Sequence, residues 1–174
     1  MKSKKHLRYF IPLLIIISFS LLVTSGLKIK GVLADKHMDL FTFVSSLSTP
    51  QVSVNELQSG QLKPVILVDV RSQKEYDLDR IGNSILIPLN DIESGAAIQK
   101  IRDIVQSNTH PDQKMPTIVL YCKVGGDRSF KAYKELEKTG LNFVVLSGGI
   151  KGWRQVVPDK NDATVLAPIT PLAN

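Results

Sequence analysis

Two runs constrain the fold more than any other feature of the chain. Val65-Ile66-Leu67-Val68-Asp69-Val70 and Thr117-Ile118-Val119-Leu120-Tyr121 are almost continuously apolar and rich in β-branched residues. A strand with one wet face alternates apolar and polar positions, so an unbroken apolar strand has to be covered on both faces. Weaker strand signals stand at Gln51–Val54, Ser84–Pro88 and Asn142–Leu146. Helical patterns fall between them. Ala97, Ile98, Ile101, Ile104 and Val105 predict one helix over most of Asp91–Gln106, and Phe130, Tyr133 and Leu136 give a second an apolar face, with Gly140 just past its end. Asn55 is the expected N-cap of a short helix, and another short helix runs through Trp153, which is expected to be a core anchor. Strands alternating with helices in this way give βαβ units, hence an α/β fold with a parallel sheet flanked by helices.

Sites in such sheets lie beyond the carboxyl ends of the strands. The residues found there are Asp69 and Arg71, Pro88 and Asn90, Cys122 to Arg128, and Ser147 to Gly149. The third set carries chemistry. Tyr121-Cys122-Lys123-Val124-Gly125-Gly126-Asp127-Arg128-Ser129 leads from a strand end straight into a helix start. A glycine-rich turn there lets successive backbone N–H groups form an anion nest, and the helix N-terminus adds partial positive charge. Lys123 and Arg128 add formal charge, and Ser129 is placed to cap the helix. Cys122 at the base of such a loop is expected to act as a thiolate nucleophile, the bland alternative being a buried structural cysteine. It is the only cysteine, so a disulfide framework, a Cys-rich zinc site and a two-cysteine redox couple are all excluded. The three histidines are scattered, and neither metal nor cofactor is expected. Asp69 and Arg71 are supporting candidates near the mouth of the site, with Glu75 the expected ion-pair partner of Arg71.

The chain resembles the rhodanese-like domain family over roughly residues 51–155. The resemblance rests on Asp69-Val70-Arg71 with Glu75-Tyr76, and on Ile81-Gly82-Asn83-Ser84 leading to Ile87-Pro88. It continues with Tyr121-Cys122 opening the loop to Arg128-Ser129, then Leu146-Ser147-Gly148-Gly149-Ile150 and Trp153. It implies a three-layer fold with a five-stranded parallel sheet. It also implies that Cys122 accepts a sulfane sulfur as a persulfide from an anionic donor such as thiosulfate. The sulfur then passes to a thiophilic acceptor, a thiol or a cyanide-like species. Lys123, Val124, Gly125, Gly126, Asp127, Arg128 and Ser129 would bind the donor. Five residues separate Cys122 from Arg128, where many sulfurtransferase members have four. Five is the spacing of cysteine phosphatases and of rhodanese-fold phosphatases and arsenate reductases. That reaction class stays open, as does a non-catalytic sulfur-carrier or partner-binding module. Tyr121 stands where phosphatase-like members carry histidine, and Arg80 where the family usually has one.

Charge separates the N-terminus from the rest. The formal net charge is +6, and residues 1–37 hold seven of the 22 basic residues and one of the 16 acids. The remainder is balanced, so nucleic acid is not an expected partner. A basic segment (1–9) precedes an apolar stretch (10–27), interrupted by Pro12, Ser18 and Ser20. Its length fits a membrane anchor or a signal core. The expectation is a single-pass membrane protein with a cytoplasmic N-terminus and the domain on the far side. The alternative is a secreted or periplasmic protein after signal cleavage. A tether (28–50), a globular domain (51–157) and a flexible tail (158–174) complete the expected organisation.

Overall fold

The structure is a computed structural model, and it describes residues 43–44, 46–62, 64–109 and 114–159, all within the compact unit Asp39–Asn174. Five strands, β1 (Gln51–Val52), β2 (Val65–Asp69), β3 (Ile85–Leu86), β4 (Thr117–Tyr121) and β5 (Phe143–Leu146), form one parallel sheet in the order β1-β5-β4-β2-β3. Helices α1 (Val54–Gln58), α2 (Gln73–Leu78), α3 (Leu89–Glu93), α4 (Ala97–Ser107), α5 (Asp127–Leu136) and α6 (Gly149–Val156) connect or follow the strands. The two apolar runs are the paired central strands, in register from Val65 opposite Thr117 to Asp69 opposite Tyr121.

Alternation along β2 and β4 sends their side chains into two separate cores. Ile66, Val68, Val70, Ile118, Leu120 and Cys122 pack with Ile92 of α3, Ala97, Ile101 and Val105 of α4, and Ala132 and Leu136 of α5. Leu67, Val119 and Tyr121 pack on the other face with Val54 and Leu57 of α1 and Ile150 and Trp153 of α6. Trp153 is fully buried there, as an anchor should be. The fold is thus the expected three-layer α/β arrangement.

Local details differ from the sequence reading. The cap of α1 is Ser53, not Asn55: its hydroxyl accepts from Glu56 N (3.2 Å), and the Glu56 carboxylate accepts from Ser53 N (2.8 Å). This reciprocal capping box satisfies two N–H groups at once, which a lone Asn cannot do. The helix expected over Asp91–Gln106 is two helices. Gly95, at φ +79°, breaks it, because a left-handed residue cannot continue an α-helix.

The expected single-pass localisation is corrected. Among the described residues no helix is long and apolar enough to cross a membrane. The longest helix among the described residues, α4, has 11 residues and one buried face, giving it a length of about 17 Å against a hydrocarbon core of about 30 Å. The basic segment (1–9), the apolar stretch (10–27), most of the tether (28–50) and all of the tail (158–174) except Pro158 and Asp159 lie outside the described residues.

Candidate active site

Cys122 follows β4 directly and its side chain is buried, 2% exposed. The loop Lys123–Gly126 then leads into α5, whose N-cap is Gly126. Ser129 does not cap this helix. Its backbone N–H and that of Phe130 both donate to the Gly126 carbonyl (3.1 and 3.2 Å), so the helix has already begun and the Ser129 side chain is buried inside it.

The start of α6 holds the loop from outside. Ile150 N donates to the Cys122 carbonyl (2.9 Å) and Lys151 N to the Lys123 carbonyl (3.0 Å). The backbones touch so closely that neither side has room for a Cβ. One built at Gly125 would lie 2.5 Å from the Leu146 carbonyl oxygen and 2.8 Å from Gly148 N. With two loop carbonyls occupied by α6, the N–H groups from Val124 to Arg128 donate to no protein acceptor among the described residues. That is the arrangement of an anion nest, completed by the N-terminus of α5.

The charged residues sort themselves differently from the sequence expectation. Arg71 pairs with Asp69, not with Glu75: Arg71 Nε lies 2.9 Å from Asp69 Oδ1, and a terminal nitrogen lies 2.6 Å from Oδ2. The two residues flank Val70 on one side of the chain and are both buried, so each is the other's nearest counter-charge. Glu75 is left for Arg128, 53 residues away, whose two terminal nitrogens reach both its carboxylate oxygens at 2.7 and 3.0 Å. The same carboxylate accepts from Ser72 N and Oγ at the start of α2. The Arg128 bond, helped by Ser72, lowers the Glu75 pKa to about 2 despite partial burial. Asp127 pairs with Lys131 at 2.9 Å. Lys123 is exposed and has no ion-pair partner among the described residues.

Tyr121 braces the base of the site. Its hydroxyl lies 2.6 Å from Ser84 Oγ and accepts from Ile81 N at 3.2 Å, and the Arg71 guanidinium sits 5.7 Å from its ring centre. A cleft of about 420 Å³ opens beside the loop, lined by Arg71, Glu75, Lys123, Ile150, Lys151 and Arg154 among others. Cys122 does not line it. The candidates Lys123 and Arg71 therefore share a cleft, Asp69 lies buried behind Arg71, and Arg128 is turned to Glu75. Lys151 and Arg154 were not expected from the sequence. The Gly148-Gly149 turn that places their helix against the loop is the only local signal for them. No group of three or more His, Cys, Asp or Glu is placed to hold a metal among the described residues.

Comparison with known proteins gives partial relatives and a family. A Synechococcus elongatus protein, "Uncharacterized 16.5 kDa protein in psaL 5'region", is 34% identical over 80 residues, 44% of this chain and 48% of its own length. "Probable adenylyltransferase/sulfurtransferase MoeZ" of Mycobacterium tuberculosis is 36% identical over 116 residues, 66% of this chain and 26% of its own. "Adenylyltransferase and sulfurtransferase uba4" of Aspergillus clavatus is 32% identical over 127 residues, 63% of this chain and 24% of its own. The chain thus spans half or less of these relatives. Among solved structures, the human single-domain sulfurtransferase TSTD1 is 26% identical with a TM-score of 0.49, covering 62% of this chain and 97% of that one. Residues 51–156, from the first residue of β1 to the last of α6, match the rhodanese-like domain, and the chain belongs to that family.

Proposed function

We propose that the protein is a sulfurtransferase that carries a sulfane sulfur on Cys122. The observation that carries this function is the loop itself: a strand-end cysteine followed by N–H groups from Val124 to Arg128 with no protein acceptor among the described residues. Such a nest suits a sulfur anion, which needs several weak donors and no counter-ion of its own. The relatives named as sulfurtransferases support the same reaction class.

In the first half-reaction the Cys122 thiolate attacks the outer sulfur of thiosulfate. A new S–S bond forms, the bond to the sulfonate sulfur breaks, and sulfite leaves with the electron pair. In the second, a thiolate or cyanide attacks the terminal sulfur of the Cys122 persulfide. Cys122 leaves as the thiolate, and the acceptor becomes a persulfide or thiocyanate. Lys123 draws the anionic donor toward the loop, and the amides hold the charge on the terminal sulfur. Burial of Cys122 at 2% exposure favours a second reading, a partner-binding module without turnover.

The test is thiocyanate production from thiosulfate and cyanide by the full chain. Wild type should form thiocyanate and gain the mass of one sulfur atom after thiosulfate alone, and Cys122→Ser should do neither. A folded wild-type protein that takes up no sulfur would overturn the proposal and leave the binding module. Phosphate release from an aryl phosphate without thiocyanate would point to the phosphatase class instead.

A further inference from the structure

The bond between Glu75 and Arg128 has a consequence for which anions the loop accepts. A tetrahedral oxyanion seated in a nest of N–H groups carries more negative charge than the amides alone offset. The group suited to complete its binding is a guanidinium, whose planar fork meets two oxygens at once. Arg128 ends the loop and is the residue placed for that role. Both its terminal nitrogens are instead on the two oxygens of Glu75. Glu75 is itself held by Ser72 N and Oγ, at 3.3 and 3.0 Å, so it is fixed to the start of α2 rather than swinging free. Asp127 beside it adds a second carboxylate, which is paired with Lys131. The formal charges at the helix end of the loop therefore cancel. What remains for an incoming anion is the N–H groups together with Lys123 and Lys151, which line the same cleft.

We propose that Glu75 is a specificity-determining residue: by holding Arg128 it denies the nest the seated oxygens of a tetrahedral oxyanion such as phosphate and reserves the N–H groups for the outer sulfur of the donor, whose sulfonate stays outside them beside Lys123. The proposal deepens the sulfur-transfer function and rests on it. Glu75 acts through Arg128, so it is a positioning residue and not a catalytic one.

The experiment uses inorganic phosphate as the probe and the lone cysteine as the reporter. Iodoacetamide alkylation of Cys122 in the full chain is followed by mass spectrometry across a phosphate titration. In Glu75→Gln, the phosphate concentration that halves the alkylation rate should fall about tenfold relative to wild type, corresponding to about 1.4 kcal/mol. The gain should vanish in Glu75→Gln/Arg128→Gln, because it operates through the freed guanidinium. Mere structural damage would weaken phosphate protection, the opposite direction. Equal protection of folded wild type and Glu75→Gln would overturn the proposal, as would a gain that survives in the double variant. If Glu75→Gln fails to fold, Glu75→Asp carries the test, since a carboxylate one methylene shorter loses the two-point grip. A smaller shift in the same direction is then expected, and no shift overturns the proposal. Thiocyanate formation is read in parallel. Its absence beside an intact protection shift would sink sulfur transfer, whereas its presence beside unchanged protection would sink the role of Glu75.

Discussion

Replacing Gly149 by alanine should damage the protein far more than the same change at Gly140, although both glycines have positive φ. At Gly149 the φ is +56°, in the left-handed region that costs a residue bearing a Cβ about 1–2 kcal/mol. The added Cβ would also overlap the Cys122 carbonyl oxygen and lie 2.6 Å from Gly125 N and 2.9 Å from Val124 N. All three are backbone atoms, so no rotamer change relieves them. A forced backbone shift in a packed interior costs about 1–3 kcal/mol more. The expected loss is therefore about 2–5 kcal/mol, a large share of the roughly 5–15 kcal/mol that holds a domain folded. Gly140 has φ +77° and nothing within 4 Å of a built Cβ, so Gly140→Ala carries the conformational term alone, about 1–2 kcal/mol. Urea unfolding of the two variants isolates the close approach of α6 to the loop as their difference. The clash falls on the carbonyl of Cys122, so Gly149→Ala should also alkylate faster at Cys122 under native conditions, while Gly140→Ala should not. Equal stability losses would refute the claim that backbone contact with the loop is what requires glycine at position 149.

Two further outcomes follow from the buried and half-buried charges. The folded-state pKa of Glu75 is lowered to about 2 from an ordinary 4.5, so its contribution to stability is present above the unfolded value and lost as pH falls through that window. The pair is about one-third exposed, so screening keeps the effect modest. Glu75→Gln should show a shallower fall in urea midpoint over the same pH range, and parallel curves for the two proteins would contradict it. Asp69→Ala removes the counter-charge of Arg71 where both are buried, which should cost about 3–5 kcal/mol because an uncompensated guanidinium is left inside. Asp69→Ala/Arg71→Met should recover part of that loss in the same unfolding assay, and a double variant no more stable than the single would count against the buried-charge explanation.

Much of the fold is legible in local patterns. The β2 and β4 runs announce strands covered on both faces, and the step of two along them places Tyr121 and Cys122 in opposite cores. Gly140 ends its helical segment in a left-handed conformation, as its position after a charged amphipathic run implies. Ser53-x-x-Glu56 and Ser72-x-x-Glu75 are both capping-box signatures readable from the sequence. Asn55 is a competing cap for the first of them, and only the register of the turn discriminates. The break at Gly95 is harder, because the apolar spacing runs through it and a single glycine is tolerated in many helices.

The candidate site divides along the same line. By itself the sequence determines that one cysteine stands between a strand and a helix with glycines and two cations around it, because those properties depend only on neighbours along the chain. It does not determine which acid meets which base. Glu75 lies four residues from Arg71 and 53 from Arg128, yet it pairs with the distant one. That choice is made by the strand order, which sets β2 beside β4 so that the helices following them start at the same end of the sheet. Likewise Lys151 reaches the loop only because β5 pairs with β4 and delivers α6 to the Cys122 and Lys123 carbonyls. Local rules act over a helical turn or a strand repeat. Charge pairing acts through space, and the tertiary structure decides what is near.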